Sequence, residues 1–134
     1  MVVYATNART NISVAKIVLK GLVKINCGKK MERIDKLRQM LASSPEDSFL
    51  NHALAMEMLA LGQDAEARRV WETLLQRDPG YIGSYYQLAK LMERLGERTL
   101  ALEWYERGLA AAQKAGDRHA MNELRMAYDE LLDE

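Results

Sequence analysis

Two histidines, His52 and His119, one cysteine, Cys27, and scattered carboxylate pairs are the residues of this 134-residue chain best suited to chemistry. A catalytic site needs a nucleophile, a base or a metal set that the fold can bring together. Cys27 has no CxxC or CxxxxH companion, so it builds neither a cysteine-based zinc site nor an internal disulfide. Gly28-Lys29-Lys30 follows it, but the Gly-x-x-x-x-Gly-Lys-Ser/Thr spacing of a phosphate loop is missing. Asp64 with Glu66, and Asp129 with Glu130, lie beside arginines in amphipathic stretches, where a solvated helix face accounts for them. His119 falls near a helix start and reads as a surface residue. His52 falls on the inward side of its helix, where it either lines a groove or simply packs. Asn11-Ile12-Ser13 matches a glycosylation sequon but has no secretory context. The reading is a non-enzyme, with no catalytic residue, no cofactor and no metal site.

The eight methionines and nine aromatics could line a cofactor pocket. Met58, Met92, Trp71 and Tyr105 instead recur at core spacing, whereas Met56 falls off that stripe and offers a pliable contact.

The elements that position these residues are helices. Ala, Leu, Glu, Arg and Met are abundant, and the only prolines, Pro45 and Pro79, sit at element boundaries. With 49% hydrophobic and 28% charged residues the chain has the balance of one globular domain. No run of about 18 apolar residues occurs, so no membrane span is expected. A lone cysteine points to a reducing compartment, and the expected location is cytoplasmic.

Shifting the chain by 34 residues superposes Pro45 on Pro79, Leu54-Ala55 on Leu88-Ala89, and Met58 on Met92. The same shift brings Leu61-Gly62 onto Leu95-Gly96, Ala67 onto Ala101, Glu72 onto Glu106, Leu75 onto Leu109, and Trp71 onto Tyr105. Each unit, about 45–78 and 79–112, reads as two helices joined at a glycine. Ala55, Ala67, Ala89 and Ala101 present only methyls, which lets paired helices approach to the short end of the roughly 8–10 Å range. Ser44-Pro45-Glu46-Asp47 reads as a capping hydroxyl before a first-turn proline, and Asp78-Pro79 as the same device.

These residues resemble the tetratricopeptide repeat: the 34-residue period, Leu-Ala-x-x-Met, the turn glycine, the lone alanine, the aromatic four residues later and the closing proline. The resemblance covers residues 45–112. It departs in the first unit, where Asn51 stands in place of the usual early aromatic, which is Tyr85 in the second. A solenoid unit buries its apolar face only against neighbours, so flanking helices are expected. Met31 to Ala42, with Ile34, Leu37, Met40 and Leu41, resembles the second helix of a truncated repeat. Residues 117–132, with Met121, Leu124, Tyr128 and Leu131, read as a capping helix. Leu124 and Tyr128 lie 36 residues beyond Leu88 and Met92, which implies two extra residues near Gln113 to Gly116. The implied fold is all-α: an antiparallel helix-pair solenoid of two full repeats plus flanking helices.

By the same resemblance, the first helix of each pair lines a concave groove. The lining is Phe49, His52, Met56 and Leu59, then Tyr86, Lys90, Glu93 and Arg94. The family's Lys/Asn/Arg clamp for a C-terminal carboxylate is not expected, since His52, Met56 and Gln87 stand where much of it would be. The expected function is that of a scaffold for a protein or peptide partner, the alternative being self-association into a homo-oligomer through the apolar Phe49 to Leu59 strip.

Residues 1–30 hold six Lys/Arg and no Asp/Glu, so the remainder carries 13 basic against 19 acidic residues. Val14, Ile17, Val18, Leu22 and Ile25 suit either an amphipathic helix or a strand. Residues 1–12 are expected to be disordered, and the basic stretch reads as an appended tail ahead of a domain spanning 31–134. Nucleic-acid binding through this stretch is not favoured, because no aromatics interleave its lysines and the rest of the chain is acidic.

Overall fold

The computed structural model describes residues 28–134, which form six helices. They are α1 (residues 28–43), α2 (Ser48–Ala60), α3 (Asp64–Arg77), α4 (Ile82–Arg94), α5 (Arg98–Ala115) and α6 (Arg118–Asp133). The expectations for residues 1–27 lie outside the described residues. Gly28, Lys29 and Lys30, the first described residues, already lie in α1, so they join the first helix and not the basic stretch alone.

The pairs α2/α3 and α4/α5 repeat the 34-residue period residue for residue, with Ser48 and Ile82 opening the first helices and Asp64 and Arg98 the second. The fold is an all-α helix-pair solenoid. Leu54, Met58, Trp71, Leu74, Leu88, Met92, Tyr105 and Leu124 are buried along its length. Ala55, Ala67, Ala89 and Ala101 have no exposed surface, so each methyl sits where two helices come closest. The stripe ends earlier than the pattern implied, since Leu61 is half-buried and Leu95 is 46% exposed where the chain turns.

Within each pair the turn is a left-handed glycine. Gly62 has φ 76° and Gly96 φ 79°. The following amides, of Gln63 and Glu97, donate back to the carbonyls of Met58 and Met92 at 2.9 and 2.8 Å, satisfying oxygens that the helix end would orphan.

The helix starts differ from the sequence reading. Ser44 does not cap α2; residues 44–47 form a turn closed by the Asp47 amide on the Ser44 carbonyl at 3.2 Å. Asp47 is the cap, its carboxylate accepting from the Leu50 amide at 2.9 Å. Pro45 suits the second position of such a turn as well as a first helical turn, which is why the residue types misled. The Asp78 to Tyr81 turn repeats the arrangement, and α4 opens without a side-chain cap. The Asp78 carboxylate instead accepts the Ser48 hydroxyl at 2.6 Å, tying the two turns together.

The two extra residues are the net of a helix longer by four and a following connection shorter by two, residues 116–117 against 78–81. Helix α5 has 18 residues against 14 in α3, and ends in a left-handed glycine, Gly116, where the first repeat closes with Asp78-Pro79. Asp117 then caps α6 by accepting the Ala120 amide at 3.0 Å. At the other end α1 packs on α2 through buried Ile34, an Arg33–Glu57 ion pair at 3.0 Å, and the Lys30 amine on the Ala60 carbonyl at 3.2 Å.

Candidate functional site

The residues singled out for a groove fall on α2 and α4, the first helices of the two pairs. Phe49, His52, Met56 and Leu59 are spaced three and four apart, so they share one face of α2. Phe49 is 68% exposed and Met56 36%, although both are large and apolar. Leu59 is half-buried and leans on the core.

His52, on α2, is held by side chains from α3 and α4 and from the turn between them. Its Nδ1 accepts the indole N–H of Trp71 on α3 at 3.1 Å and lies 2.8 Å from the Ser84 hydroxyl on α4. The Trp71 and Tyr81 rings stand 6.0 and 5.4 Å away. Burial lowers its pKa below the ordinary histidine value. His52 therefore joins one repeat to the next.

On α4 the charges are all engaged. Lys90 pairs with Glu93 at 3.4 Å and stands 5.9 Å over the Tyr86 ring, which meets Tyr105 edge-on at 6.4 Å. Glu93 also accepts the hydroxyl of fully buried Tyr105; burial and this bond push the Tyr105 pKa far above its ordinary value. Arg94 reaches Asp64 at the start of α3, at 2.7 Å. His119 is exposed and pairs with Glu123 at 2.9 Å, one turn along α6.

Helix α6 completes the α4 half. Tyr86 faces Glu123, Met126, Ala127 and Glu130 across a cleft of about 260 Å³. Lys90, Glu93 and Arg94 meet Gly96, Arg98, Leu131 and Glu134 around another of about 500 Å³. Met126 is 65% exposed there. The sequence reading missed Glu123, Met126 and Glu130, yet its 36-residue offset for the last helix carries Lys90 onto Met126 and Arg94 onto Glu130. Among the described residues, no three His, Cys, Asp or Glu side chains gather into a metal-sized group, and no helix is long and apolar enough to cross a membrane. What this surface offers is shape, apolar contact and paired charge.

No protein-family model matches the chain. A TPR repeat-containing protein of Pseudomonas aeruginosa is 29% identical over 91 residues, covering 68% of this chain and 87% of that protein. The solution structure of a tetratricopeptide repeat domain protein from Salinibacter ruber is 37% identical, with a TM-score of 0.63 over 65% of this chain and 88% of that one. The chain belongs to the tetratricopeptide repeat family. Its fold also matches the TPR2B domain of yeast Sti1, solved in complex with pHsp70, with a TM-score of 0.69 at 18% identity over 75% of this chain and 80% of that one. The tetratricopeptide pattern is realised twice, in α2/α3 and α4/α5. Its lone alanines form the helix contacts, and its aromatics Trp71 and Tyr105 bond back to the first helix of their own repeat through His52 and Glu93.

Proposed function

We propose that this tetratricopeptide repeat chain is a non-catalytic scaffold that holds a protein or peptide partner along α2, α4 and α6. The reading rests on one observation: Phe49 and Met56 on α2 and Met126 on α6 are large apolar side chains left exposed, where the core does not need them. Exposed apolar strips beside polar groups are where partners find their anchors. The yeast Sti1 domain, of the same fold, is named for its complex with pHsp70, which supports an interaction role. The partner that suits this surface is an amphipathic helix or extended peptide, with apolar anchors against the α2 strip and polar or charged groups against Lys90, Glu93 and Arg94.

An affinity pull-down with the intact chain, set beside Met56→Glu and beside Tyr86→Ala combined with Lys90→Glu, tests the reading. Loss of partner capture with unchanged melting supports it. Capture that survives all the substitutions overturns it. The same exposed strip supports a second reading, self-association through Phe49 to Leu59, in which sedimentation shows a mass that rises with concentration and falls in Met56→Glu.

A further inference from the structure

A further cleft lies away from α2 and the α4–α6 face, between the second helices α3 and α5. It measures about 810 Å³, within the range of sites that take a ligand or a side-chain anchor. Leu75 of α3 and Tyr85 of α4, both buried, form its floor, and Trp104 of α5 forms a half-buried wall.

The aromatic wall is built in steps. Gly108 lets α5 come so close to α4 that an added Cβ would lie 2.7 Å from the Tyr85 Cβ. The Tyr85 hydroxyl donates to the Pro79 carbonyl at 2.7 Å, which fixes the ring. Trp104 tilts against Tyr85 at 6.2 Å, and the Arg107 guanidinium lies over the Trp104 ring at 4.8 Å. An arginine stacked in this way is held in place while its N–H groups stay free to fork onto a carboxylate.

Charge makes the cleft unusual in this chain. Among the described residues neither Arg107 nor Lys114 pairs with a carboxylate. Glu72, the acidic residue of the lining, is already engaged by Arg68 at 2.8 Å. The uncompensated charge is therefore positive, on a chain whose residues after 30 carry 13 basic and 19 acidic groups. Lys114 is present only because α5 overruns: the 34-residue shift of the end of α3, Arg77, falls on Ala111, and the helix continues to Ala115.

We propose that this cleft is a second docking site, for an acidic peptide segment that seats an aliphatic or aromatic side chain on Leu75, Tyr85 and Trp104. Arg107 takes the neighbouring carboxylate as a fork, and Lys114 takes a second as a point charge. The site is independent of the first-helix strip and stands or falls without it.

The test is an NMR titration of the intact 134-residue chain with a short peptide of aspartates and glutamates around a leucine and a tryptophan, and with its counterpart in which every acid is lysine. The Trp104 indole N–H reports the cleft, and the buried Trp71 indole is the internal control. The expected result is that the acidic peptide shifts the Trp104 signal and the Ala110 to Ala115 amides, while the lysine peptide does not. Arg107→Glu with Lys114→Glu should weaken binding about tenfold or more, the scale of losing a charge-assisted pair. Met56→Glu should leave it unchanged. Lys114→Glu alone, at an exposed position, should weaken it in part and guards against misfolding of the double variant. No shift with the acidic peptide, equal shifts with both peptides, binding undiminished in the charge-reversed variants, or the same shifts from raised protein concentration without peptide would each overturn the proposal.

Discussion

Trp71, which has no exposed surface, donates its indole N–H to His52 Nδ1 at 3.1 Å, so that ring nitrogen must be the unprotonated one. Protonating it would strand a buried donor, and burial already disfavours the charged ring. The folded pKa is therefore below the unfolded value of 6.5, and between the two only the unfolded chain binds the proton. Stability from this group is fully present above pH 6.5 and is lost as the pH falls through the folded pKa. Melting temperatures measured from pH 7.5 to 5 should decline in the wild type and decline less in His52→Gln. Parallel slopes would mean that His52 does not titrate on folding.

Ala67→Leu and Ala101→Leu should each destabilise by about 1–3 kcal/mol, because three further carbons must enter a closed helix contact. Urea unfolding gives the difference directly. Wild-type midpoints for both would contradict the placement of these methyls.

Gly108→Ala sets two effects against each other. Alanine is favoured over glycine inside a helix by about 1 kcal/mol. The new Cβ, however, would lie 2.7 Å from the Tyr85 Cβ and 3.2 Å from both Leu124 methyls, so α4, α5 and α6 must move apart. The steric cost wins, and a net loss of about 1–2 kcal/mol is expected. Gly80→Ala, which meets only an Asp78 oxygen at 3.7 Å, is the near-neutral comparison.

A chain starting at Met31 gives up the exposed Lys30 contact to the Ala60 carbonyl but keeps Ile34 and the Arg33–Glu57 pair. Such an exposed bond contributes about 1 kcal/mol or less. Circular dichroism should show its helical signal retained, with melting only slightly earlier. A collapse of helicity would mean that the residues before 31 belong to the core.

The repeat was legible because its core residues must recur wherever the same helix contact recurs. Leu54 and Leu88, Ala67 and Ala101, and Trp71 and Tyr105 fill equivalent spaces, so one period finds them all. Helix starts were less legible, since Ser44, Pro45 and Asp47 suit both a turn and a cap, and only the backbone decides between them. On α6 the offset changes from 34 to 36 residues, so a single period does not carry the first-helix positions onto Met126. The cleft between α3 and α5 had no signature at all. It needs Gly108 to draw α5 onto Tyr85, and a helix that overruns its repeat. Neither is a pattern until the two helices are placed side by side.

The packing order of the helices also bears on how the chain reaches its structure. Each of α2 to α6 packs chiefly on its neighbour in sequence, α4 on α5 most extensively, while α4 also touches α6 and, through Ser84 and His52, α2. No segment must wait for a remote one to arrive, so loop closure costs little, and helical chains of such low contact order fold in microseconds to milliseconds. With the most extensive helix contact, α4 and α5 are expected to form the folding nucleus, which φ-values for conservative core substitutions in that pair, higher than in α1 and α6, would check. Pulled by its ends, the same chain should come apart from α1 and α6 inward, the second repeat yielding last.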